Sequence, residues 1–95
     1  MSSSDPLYAR ALATFGQDRQ IRKCIQELNE LAVALSHYQE GRCDADEVAA
    51  EVADVLITAE QMAGVVGEER VIRHAMAKRK RLAALLDKAE GWELP

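Results

Sequence analysis

The chain has 95 residues, 16 acidic against 12 basic side chains, a formal net charge of −4, and 48 % hydrophobic but only 4 % aromatic residues. That length is one domain, 1–95, and that hydrophobic content excludes a disordered chain. The acidic balance gives no nucleic-acid-binding surface. No segment is long enough to span a membrane and no secretory leader opens the sequence, so a cytoplasmic protein is the expectation.

Met1 to Ser4 read as a flexible end. Asp5-Pro6 then starts a helix, with Asp as N-cap and Pro at the first helical position, and Gly16 stops it near Phe15. A second helix runs from about 17 to 40 along a stripe of Ile21, Cys24, Ile25, Leu28, Leu31 and Leu35, and Gly41 ends it. Arg42 to Ala45 form a turn, with Asp44 or Asp46 as the next N-cap.

The third helix spans about 45–66, with Val48, Val52, Val55, Leu56, Ala59, Met62, Ala63 and Val66 on one face. Its many valines keep the helical period, so they do not argue for a strand. Gly67 ends it. The fourth helix spans about 68–90, with acids in its first turn and an inward-facing stripe from Val71 to Ala89. Gly91 closes it, and Trp92 to Pro95 form a short tail. No strand pattern or repeat occurs, so the fold class is all-α, a four-helix bundle-like domain. A helical chain this short often extends its core by pairing with a copy of itself.

Glu27 and Glu30 lie one turn apart on the second helix, and Glu51 and Asp54 lie one turn apart on the third. By the helical count, Glu27 and Glu51 sit roughly 100° and 80° from the centres of their apolar stripes, at the margin of the core. Glu30 and Asp54 sit further out, roughly 160° and 140° away. The midpoint of Glu27 and Asp54 and that of Glu30 and Glu51 both fall at 40.5, beside Gly41. A hairpin turning there brings the four acids level. Four carboxylates on one patch repel one another unless a cation joins them. Oxygen donors suit Mg²⁺, Mn²⁺ or Ca²⁺ better than zinc. Magnesium held by carboxylates keeps positions for water and substrate phosphates, so the pattern points to phosphate chemistry. Each acid pair taken alone is an ordinary solvated helix flank.

These residues resemble the MazG-like all-α nucleoside triphosphate pyrophosphohydrolase superfamily, whose pattern is E-x-x-E, a variable gap, then E-x-x-D. Here 20 residues separate Glu30 from Glu51, and the flanks Ile25 to Leu31 and Glu47 to Ile57 are similar as well. The resemblance covers about Phe15 to Leu86 and is nearest to short single-domain members. It implies Mg²⁺-dependent hydrolysis of a (d)NTP to the monophosphate and pyrophosphate, a house-cleaning or nucleotide-pool role, Mn²⁺ as a substitute ion, and a homodimer or homotetramer. It also implies Glu27, Glu30, Glu51 and Asp54 as the metal and catalytic residues. Two departures stand out. Gln26 replaces an acid that often precedes the first motif residue, and His74 aligns with a lysine of many relatives. Lys78 and Arg81 are then the fourth-helix candidates for phosphate contact.

Lys23 lies one turn before Glu27, where it can reach a phosphate or pair with Glu27, with the ion pair slightly favoured. Glu47 is an acid beside the site or a solvated helix start, and Asn29 is a weak candidate for contact with substrate. His37 and His74 have no partner at a useful spacing, and Cys24 and Cys43 have no zinc spacing. Phe15, Tyr38, Trp92 and Tyr8 are the aromatics able to stack a base, and nothing in the sequence selects among them. The alternative function is a non-catalytic helical oligomerisation or interaction module. A phosphohydrolase of another substrate class would share the same metal site.

Overall fold

The computed structural model describes residues 3–91. Met1, Ser2 and the tail Trp92–Pro95, with Trp92 as a stacking candidate, lie outside the described residues. The chain is all-α: α1 Pro6–Phe15, α2 Gln17–Gln39, α3 Ala45–Val66 and α4 Glu68–Ala89, with no strand among the described residues. These bounds fall within a residue of those expected from the sequence. The chain divides into two compact units, one up to Val65 holding α1, α2 and nearly all of α3, the other from Val66 holding α4.

The punctuation works as its chemistry requires. Asp5 Oδ1 accepts a hydrogen bond from the Leu7 backbone N–H at 2.9 Å, and Pro6 opens α1. At the α2–α3 turn, Gly41 adopts φ +74°, a left-handed backbone that a side chain disfavours. Of the two aspartates able to cap α3, Asp44 does so: its Oδ1 accepts from the Glu47 N–H at 2.9 Å.

In the first unit the buried residues are Tyr8, Gln20, Cys24, Glu27 and Thr58. Three of these five are polar, which sets this interior apart from an ordinary apolar core. Tyr8 ties α1 to α3 by donating its hydroxyl to Glu60 Oε2 at 3.0 Å. Thr58 satisfies its hydroxyl within its own helix by donating to the Asp54 carbonyl at 3.0 Å.

The stripes expected to face inward do so only in part. Cys24 is buried, but Ile25, Leu28 and Leu35 on α2 and Leu56 on α3 are about half exposed. On α4 the whole stripe is exposed, from Val71 and Ile72 to Leu85 and Leu86. A helical period identifies an apolar face, and a single chain does not cover every such face.

Candidate metal centre

The hairpin turn at Gly41 lays the middle of α2 beside the first half of α3. Glu27, Glu51 and Asp54 each bring one carboxylate oxygen to a common point, all within 4.8 Å of one another. Their accessibility is graded: Glu27 is buried, Glu51 half-buried and Asp54 exposed. Glu27 and Glu51, at the margin of their stripes, are indeed the more enclosed. Glu30 does not join the trio. It is exposed, and its Oε1 accepts from Gln26 Nε2 at 3.0 Å.

Glu27 is only 4 % exposed. One of its oxygens meets Lys23 Nζ at 2.9 Å, the i, i+4 pair that the sequence favours. Its Oε2 is buried without a hydrogen-bond partner, and so is Glu51 Oε2. Burying a carboxylate oxygen without a partner is unfavourable, and most such atoms in folded proteins have one. Two orphaned oxygens in one cluster therefore call for a bound group.

The proton affinities differ across the cluster. The Lys23 hydrogen bond holds Glu27 below the ordinary carboxylate range, outweighing its burial. Glu51 has no cation beside it. Burial, then the charges of Glu30, Asp54 and Glu27, push it above that range. The Lys23 ammonium is in turn held above its usual value, chiefly by Glu27, with Glu30 and Asp54 adding to the field. Three hard oxygen donors and two buried carboxylate oxygens without partners fit a divalent cation such as Mg²⁺ or Mn²⁺. They give no soft or nitrogen donor for zinc.

Two cavities adjoin the cluster. A groove of about 760 Å³ is lined by residues of α1, α2 and α3, among them Phe15, Arg19, Glu27 and Asp54. A cavity of about 510 Å³ opens on Glu51 and Glu30, with Asn29, His37, Cys43 and Glu47 around it. The Cys43 thiol donates to the Ala34 carbonyl at 3.4 Å and is pushed up by burial first, then by Glu47 and Asp44. It is therefore no ready nucleophile. Glu47 is an exposed residue of the first turn of α3.

Lys78, Arg81 and His74 are exposed on α4, in the second unit. Tyr8 is buried and engaged with Glu60, which leaves it unable to stack a base. Tyr38 is exposed near the end of α2. Phe15 is the aromatic that reaches the groove. Arg19 and Arg22, which line the same groove, were not singled out by the acid motifs. The interval of four from Arg19 to Lys23 and from Lys23 to Glu27 is the signal that could have found Arg19, whereas no spacing singles out Arg22.

No protein-family model, curated protein or solved structure matches this chain.

Proposed function

We propose that the protein is a divalent-metal-dependent nucleoside triphosphate pyrophosphohydrolase of the MazG-like type, converting a (d)NTP and water to the monophosphate and pyrophosphate. The observation that carries this reading is the convergence of Glu27, Glu51 and Asp54 within 4.8 Å, with buried oxygens of Glu27 and Glu51 left unpaired. The E-x-x-E and E-x-x-D pattern on which these acids lie names the reaction. The groove beside them is of a size that takes a small molecule.

Glu27, Glu51 and Asp54 would hold Mg²⁺, or Mn²⁺ in its place. When bound, the ion neutralises phosphate charge and lowers the pKa of a coordinated water. Lys23 makes Glu27 the easier of the two to ionise, whereas burial and the neighbouring acids make Glu51 the harder. Glu30 is outside the trio, though its charge is felt by Glu51, and the carboxylate that would accept the proton of the attacking water is one of these four acids. In the net step the water oxygen forms a new P–O bond at the α–β anhydride. The bridging P–O bond breaks, the leaving group (pyrophosphate for attack at the α phosphorus, the monophosphate for attack at the β) takes its electron pair, and the proton passes to a carboxylate. We assign the protein to a cytoplasmic nucleotide pool. Among the described residues, no helix is long and apolar enough to cross a membrane.

The half-exposed apolar residues of α2 and the exposed stripe of α4 support assembly with a second copy, as a homodimer or homotetramer. Release of pyrophosphate from a panel of (d)NTPs with Mg²⁺ or Mn²⁺ tests the reaction. Turnover of at least one nucleotide is expected. No turnover at high protein concentration with either ion would leave the interaction-module reading in its place.

A further inference from the structure

We propose that Arg19 and Arg22, with Lys23, form the subsite that holds the pyrophosphate part of the substrate, in the groove between α1 and α2; this rests on the hydrolase reading above. The first support is where the cations lie. Residues 1–65 carry eleven Asp and Glu but only five Lys and Arg, and three of those five line this one groove. Of the other two, Arg42 is paired with Glu40 at 3.2 Å. In so acidic a unit, a groove lined by three cations is the one surface suited to a polyanion.

The second support is spacing. Arg19, Lys23 and Glu27 follow one another at intervals of four, and Arg22 lies beside Lys23. At 1.5 Å of rise per residue, Arg19 is ~12 Å along the helix from Glu27. Arg19 and Lys23 therefore make a row that starts at the carboxylate cluster and leads away from it, and Arg22 lines the same groove. At the cluster end stands Glu27, almost wholly buried, with Oε2 unpartnered.

The third support is availability. Lys23 is committed to Glu27. The Arg19 guanidinium lies over the Phe15 ring, 4.9 Å from its centroid, a contact that positions the charge without neutralising it. Arg22 has no ion-pair partner among the described residues. Two guanidinium forks with free N–H donors suit adjacent phosphate groups, which they can grip in pairs of hydrogen bonds. Phe15 is thus a positioning residue for Arg19.

Calorimetric titration of inorganic pyrophosphate into the full chain with Mg²⁺ present reads this subsite without relying on turnover. The double variant Arg19→Ala/Arg22→Ala is expected to bind pyrophosphate about tenfold or more weakly. Its Mn²⁺ affinity and melting temperature should stay as in the unaltered protein, because both side chains are exposed. Arg19→Lys/Arg22→Lys should recover part of the loss. Arg42→Ala, which removes a cation paired with Glu40 at the α2–α3 turn, should bind pyrophosphate within threefold of the unaltered protein. Normal binding by the Arg19/Arg22 variant, or no pyrophosphate binding by the unaltered chain, would overturn the proposal. The hydrolase reading fails separately, by absence of nucleotide turnover while the contrast between variants persists.

Discussion

The α2–α3 hairpin and α4 use apolar stripes of similar length to opposite ends. In the hairpin, the stripe margins carry acids, and the turn closes them into a cluster whose central carboxylate is buried. In α4 the stripe carries no acid cluster, and its large side chains stay exposed. The first arrangement leaves like charges together and two buried oxygens without a partner. The second leaves large apolar side chains exposed. On the function proposed above, a divalent ion would meet the first demand and a second copy of the chain the second.

The contrast is broken most severely at the acid cluster. Glu51→Gln should lower pyrophosphohydrolase activity by about a hundredfold or more, a loss in the range seen when a key electrostatic group of an active site is removed. The same substitution should raise the melting temperature of the metal-free protein at neutral pH, because it deletes a carboxylate whose ionised form is disfavoured in the fold. Reduced activity together with a lowered metal-free melting temperature would show that Glu51 supports the fold instead.

The ion should act on the hairpin with a defined pH dependence. Glu51 has its pKa raised, so its contribution to metal-free stability is present at low pH and is lost as pH rises through its folded value. Glu27 is lowered, and its contribution is present above the ordinary carboxylate range and lost as pH falls through its folded value. A cation competes with the proton on Glu51. The rise in melting temperature caused by Mg²⁺ should therefore grow as pH increases from the carboxylate range towards neutrality. A metal effect that is absent, or equal across this range, would separate the ion from these acids.

On α4 the expected change is in assembly. Leu82→Lys with Leu85→Lys should weaken self-association by about tenfold or more, measured by sedimentation across a dilution series. The metal-induced stabilisation of the hairpin should persist. The smallest effects belong to the turn. Gly41→Ala should cost about 1 kcal/mol in urea unfolding, because φ +74° is disfavoured for a residue with a Cβ and no neighbour would obstruct that Cβ. Asp44→Ala should cost about 1 kcal/mol through loss of the α3 cap.

The helices were legible in the sequence because glycine, proline and aspartate mark their ends through local backbone chemistry, as at Asp5-Pro6, Gly16 and Gly41. The graded burial of the acids was legible too: the helical count placed Glu27 and Glu51 nearer the core than Glu30 and Asp54, and the structure keeps that order. What the count could not give is which oxygens meet. Glu30 turns to Gln26 and leaves a trio where register alone suggested four. The groove was equally hidden, since the placement of Phe15 beside α2 depends on how α1 folds back, which no spacing within α2 encodes. Periodicity also marked the α4 stripe without revealing that its large side chains are exposed.

The most direct test of the central claim is a titration of Mn²⁺, followed by its paramagnetic resonance signal, into the unaltered chain and into Glu27→Gln and Glu51→Gln. Saturable binding by the unaltered protein, lost or weakened at least about tenfold in both variants, is the result predicted here. Equal binding by all three proteins would contradict it, because the ion would then be held somewhere other than the Glu27, Glu51 and Asp54 cluster.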